Sequence, residues 1–192
     1  ILRVPMLSLL FMLACDQPIP SDTAQKPEIM EQELPCINIK GFKACDIESF
    51  DKDGNIVNLY DFEGYPIILD ISAAWCAPCR MAAEEVQYIQ DKYNEEGLQY
   101  ITLLFENTSG EAPSEQDLIN WHAQNEIVTA PVWGGNRDML VNNPIDTSEG
   151  YYMTALPTFY YINESMEISI FQQGYGEGVV ENQVERLLNE DY

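Results

Sequence analysis

The chain has 192 residues, 46% of them hydrophobic and 11% aromatic, which suits one folded domain with extensions and excludes a globally disordered polymer. Nine basic against 32 acidic residues leave a formal net charge of −23, so nucleic acid and anionic lipid surfaces are excluded as partners on electrostatic grounds.

Residues 1–15 read as a signal segment. Arg3 precedes an apolar run from Val4 to Ala14 that is too short to cross a bilayer but suits the centre of an export signal. Ala14 followed by Cys15 resembles a bacterial lipoprotein signal, although Met12 and Leu13 stand where such signals carry Leu and a small residue. That resemblance implies lipidation of Cys15, and Asp16 after it implies retention at the inner membrane. Ordinary signal cleavage and a buried N-terminal helix are the other readings of the run. Residues 16–35, "DQPIPSDTAQKPEIMEQELP", lack an apolar period and read as a flexible tether with a typical span of roughly 25 Å. The expectation is an exported, periplasmic protein held at the inner membrane by lipid, with a folded domain over residues 36–192.

Within that domain, "IESFDKDGNIVNL" places an Asp53-Gly54 turn between two strand-like runs, a hairpin signal. The same stretch is a poor calcium loop, because Gly54 is misplaced and Phe62 stands where a bidentate acid is needed. "PIILDIS" (Pro66 to Ser72) is a continuous apolar run suited to a strand buried on both faces. From Pro78 to about Glu95 the spacing of Met81, Val86, Ile89 and Tyr93 predicts a helix, with Gly97 as its stop. Leu98 to Phe105 reads as a second buried strand, and the three elements make a right-handed βαβ unit. Ser114 with Asp117 three later opens a second helix, and a loop-rich stretch with Gly134-Gly135 follows. Pro157 to Ile162 and Glu167 to Gln173 form an antiparallel hairpin through "NESM", and a helix from Val179 to Asn189 closes the chain. The order implies an α/β fold with a mixed central sheet flanked by helices and an N-terminal β-hairpin extension.

The chemistry lies in "LDISAAWCAPCRM". A zinc site needs four ligands, and with one histidine, His122, and the remaining cysteines far from the pair, no metal is expected. A two-residue loop also makes a weak staple. Cys76 falls between a buried strand and a helix start, where unpaired N–H groups and the helix dipole favour the thiolate, and Pro78 tolerates the first turn. Cys76 is then the exposed attacker and Cys79 the resolving thiol. Ala77 and Pro78 add no charge, Asp70 and the acidic surroundings disfavour the thiolate, and Arg80 acts weakly the other way, so the pair is expected to be reducing.

"WCAPC" resembles the active-site motif of thioredoxin-fold proteins. That resemblance implies a buried Asp70 exchanging a proton with Cys79, a cis peptide before Pro157 in "TALPTF", and pairing of the Leu156 backbone with the substrate chain, with Trp75 and Pro78 also positioning substrate. From about Gly41 onward the chain is similar to the TlpA/ResA-like, or redoxin-type, membrane-anchored thioredoxins, which carry the same hairpin start and an insertion after the first βαβ unit. Ala82 departs from that pattern, which often has Glu three residues after the second cysteine. The resemblance implies a thiol-disulfide oxidoreductase without cofactor, acting on disulfides in exported proteins and recharged by a DsbD-type membrane reductase. A redoxin-type thiol peroxidase and a non-enzymatic copper chaperone of the same fold are the rival readings. Cys36 and Cys45 are expected to form a structural disulfide, a second redox pair and free thiols being the alternatives. His122 reads as a core-edge helix residue, and Trp133 as packing or groove wall.

Overall fold

The structure is a computed structural model in which residues 38–143 and 150–192 are described. The predicted signal segment and tether, with Cys15 and Cys36, lie outside the described residues. All described residues fall within one compact unit.

Strands β1 (Glu48–Phe50) and β2 (Ile56–Asn58) form the predicted antiparallel hairpin. Its turn is held by one carboxylate: Asp51 accepts the backbone N–H groups of Asp53 at 2.8 Å and Asn55 at 2.9 Å, while Gly54 takes a φ of 77° that a side chain would resist. β3 (Ile67–Ala73) is buried at every position, as its unbroken apolar run requires. It pairs in parallel with β4 (Gln99–Glu106), and α1 (Ala77–Lys92) makes the crossover between them. α2 (Glu115–Gln124) opens on a reciprocal cap: the Ser114 hydroxyl accepts from the Asp117 backbone and the Asp117 carboxylate accepts the Ser114 N–H at 2.8 Å.

The stretch read as loop holds three short strands, β5 (Val132–Gly134), β6 (Leu140–Val141) and β7 (Tyr151–Tyr152). Then come β8 (Thr158–Ile162), β9 (Ile168–Gln173) and α3 (Val179–Leu188), close to prediction. The main sheet runs β2-β1-β5-β4-β3-β8-β9. β5, β4 and β3 are parallel, and β1, β8 and β9 join antiparallel, giving the mixed sheet of the thioredoxin-like α/β class. β5 escaped the sequence because three residues after Pro131 cannot display a period-2 pattern. Tertiary pairing specifies it: Gly134 lies opposite Phe50, whose ring packs so closely that a Cβ at Gly134 would sit 2.2 Å from a ring carbon.

One expected core residue is corrected. Met81 is 54% exposed, and the buried stripe of α1 is Cys79, Ala82, Ala83, Val86 and Ile89. Met81 precedes Val86 by five residues, about 140° around the helix, so the two cannot share a face.

Candidate active site

β3 ends at Ala73, and the chain turns through Ala74 and Trp75, with the Ala74 N–H bonded to the Glu106 carbonyl at 2.9 Å. Cys76 is the N-cap of α1, and Ala77 and Pro78 follow as its first helical residues, where a missing N–H costs nothing. Cys76 and Cys79 are joined as a disulfide with Cα atoms 5.2 Å apart, and the Cys79 backbone N–H points at Cys76 Sγ, 3.2 Å away. Cys79 is sealed. Cys76 is not the open residue the sequence suggested: it is 4% exposed and lies in the wall of a groove. That groove, about 460 Å³, is walled by Trp75, Pro78, Phe105, Arg137, Met153 and Leu156. The walls close over Cys76 because the chain returning to β8 passes beside it. There the Leu156–Pro157 peptide is cis, as the resemblance implied, with Leu156 half-buried on the wall and Pro157 buried behind it.

Asp70 lies in mid-β3, opposite Thr102 of β4, and is fully buried. The Ser72 hydroxyl donates to its Oδ1 at 2.7 Å, while Oδ2 has no hydrogen-bond partner among the described residues. Burial pushes the carboxyl up to about 7, with the hydroxyls of Ser72 and nearby Tyr100 pulling the other way. A group half-protonated near neutrality can both take and return a proton there.

A family model described as the AhpC/TSA family matches residues 40–170. The chain belongs to the AhpC/TSA family. The thiol-disulfide oxidoreductase ResA of Oceanobacillus iheyensis is 24% identical over 126 residues, a match spanning 66% of this chain and 58% of that relative's length. Among solved structures, a Chlorobium tepidum chain provisionally designated thiol:disulfide interchange protein DsbE is 25% identical, with a TM-score of 0.61 over 78% of this chain and 98% of that one. A thiol:disulfide interchange protein of the thioredoxin family from Chlorobium tepidum TLS gives the same TM-score at 19% identity, covering 76% of this chain and 95% of that one.

This AhpC/TSA chain adds contacts that sequence reasoning missed. Glu106 ends β4 with its side chain 3% exposed, and its two oxygens are divided: Oε2 accepts the Trp75 indole N–H at 2.7 Å and Oε1 accepts Nε of Arg137. The Arg137 guanidinium, 68% exposed, lies 5.6 Å from the centre of the Phe105 ring. The signal available was an acid closing an otherwise apolar strand, which demands a buried partner. Arg80 instead turns back to the Ala74 carbonyl at 3.0 Å.

The remaining predicted residues lie elsewhere. Trp133 is buried in β5 with its ring centre 5.8 Å from that of Phe62, so it packs the core. His122 is half-buried on α2, its Nδ1 3.1 Å from the Ile127 carbonyl. Glu84 is exposed, and Glu85 accepts the Tyr175 hydroxyl at 2.7 Å. Cys45 is buried and disulfide-bonded, and its backbone carbonyl accepts the Tyr151 hydroxyl at 2.6 Å. Its expected partner, Cys36, lies outside the described residues.

Proposed function

We propose that this chain is a thiol-disulfide oxidoreductase that reduces disulfides in exported proteins through Cys76 and Cys79. The carrying observation is the Cys76–Cys79 disulfide at the start of α1, opening into a groove walled by the residue that precedes cis-Pro157. In the reduced enzyme the Cys76 thiolate, favoured by the N–H groups of the first helical turn, attacks one sulfur of the target disulfide and expels the other as a thiolate. The Cys79 thiol gives up its proton, with Asp70 as the acceptor, and attacks Cys76 Sγ. The Cys76–Cys79 disulfide forms, the second target thiolate leaves, and two electrons have passed to the substrate. Leu156 offers its backbone to the substrate chain, while Trp75 and Pro78 flank the attacked sulfur.

Recharging needs a two-electron donor, which by family resemblance is a DsbD-type membrane reductase. A lipid on Cys15 would keep the domain near it in the periplasm, and a Cys36–Cys45 disulfide would brace the segment before β1. The uncharged Ala77-Pro78 pair and the acidic chain support a reducing potential, and a measured value above about −180 mV overturns that direction.

The test compares insulin reduction with peroxide consumption by the reduced protein. Fast insulin reduction, with a covalent substrate adduct accumulating on Cys79→Ser, is expected. Fast peroxide turnover with negligible disulfide reduction overturns the reading in favour of a thiol peroxidase. At the position three before Cys76, where a peroxidatic Thr-x-x-Cys site needs a hydroxyl, the chain has buried Ala73.

A further inference from the structure

We propose that Arg137 reads a carboxylate on the partner, so that the disulfides this groove accepts are flanked by an acidic and an apolar side chain. The inference rests on the oxidoreductase reading and names its substrate class.

Three observations carry it. The chain has 32 acidic residues among 192, yet among the described residues lining the groove there is no carboxylate, and one, Arg137, is a cation. Arg137 is also aimed: its Nε is held by the buried Glu106 carboxylate and its flat face lies over Phe105, while Nη1 and Nη2 make no hydrogen bond to the described residues. A guanidinium fixed by one nitrogen presents its terminal fork with little rotamer freedom left to lose, which suits a planar carboxylate. Arg137 also lines two neighbouring depressions, one with Trp75 and Glu106 and one with Leu140 and Met153, so it stands where three hollows meet. Finally, the walls around the guanidinium are apolar, with Trp75 47% exposed beside Phe105, Met153 and Leu156. An apolar side chain next to the target cysteine fills that wall.

The net charge of −23 works against acidic ligands at long range, so the preference is a contact effect. At about 0.15 M salt, where screening acts beyond about 8 Å, the contact dominates.

The experiment uses the full chain, reduced beforehand, and three cystine peptides that differ only in one residue beside the cysteine, Glu, Gln or Lys, with a Leu on the other side. The kcat/KM for reduction should favour Glu over Gln by about fivefold and place Lys below Gln. In Arg137→Gln the ratio of kcat/KM between the Glu and Gln peptides should fall to about one, whatever the change in their common rate. Arg137→Lys, which keeps the charge and loses the fork, should retain part of the preference. Equal reduction of the three peptides by the wild type, or a preference that survives in Arg137→Gln, overturns the inference alone. A uniform slowing of all three in Arg137→Gln, with a shifted pH profile, overturns it by assigning Arg137 to the Cys76 thiolate. Failure to reduce any peptide overturns the oxidoreductase reading and this inference with it.

Discussion

At neutral pH the native state holds Asp70 against its preference for charge. Its carboxyl titrates near 7 in the folded chain and near 4 once unfolded, because burial removes the water that would stabilise the anion. Between those values the folded state keeps a proton that the unfolded state has released. The contribution of Asp70 to stability is therefore highest below pH 4, falls as pH rises, and levels above 7, by about 4 kcal/mol at most. Asp70→Asn should flatten that slope and exceed the wild type in urea resistance at pH 8, while slowing disulfide reduction at neutral pH. An unchanged slope would show that the carboxyl is not held protonated. At this scale Cys76 and Cys79 were legible from their place between a strand and a helix, whereas buried Asp70 and the cis peptide before Pro157 were legible only through the resemblance of the motif. Glu106 gave a signal as the acid that closes an apolar strand, but its partner was not legible, since Arg137 carries no local signal and stands 31 residues away.

Single elements divide in the same way. β3, α1 and β4 announced themselves through long apolar periods, and α2 through a cap whose donor and acceptor stand three residues apart. Ser114→Ala should cost about 1 kcal/mol in chemical denaturation, because the Asp117 N–H in the first turn loses its acceptor. β5 depends on its neighbours. Its Gly134 carbonyl accepts the Ser49 hydroxyl at 2.5 Å and the Phe50 ring covers its Cα, so the hairpin docks where a side chain has no room. Gly134→Ala should destabilise the fold by about 1–3 kcal/mol, and Phe50→Leu in the same chain should recover part of that loss. Equal stability of Gly134→Ala and wild type would mean that the hairpin does not sit on β5.

For the whole molecule the dominant quantity is charge. Thirty-two acids against nine bases make the compact state repel itself more than the expanded one, so added salt should stabilise this protein. A melting temperature that rises steadily between about 0.02 and 0.3 M salt is expected, and a fall over that range would point to attractive ion pairs as the larger effect. The layer order was legible from the sequence because parallel strands and crossover helices leave few topologies open. The groove was not, because it is assembled from distant stretches, Phe105 of β4 among them. The β3–α1 junction supplies the sulfurs, whereas Arg137, Met153 and Leu156 arrive on the segment between β5 and β8. On the proposed function the reacting sulfurs and the Arg137, Met153 and Leu156 wall thus come from separate stretches of chain, and exchanging that segment between relatives should shift partner choice while leaving the reduction potential where it was.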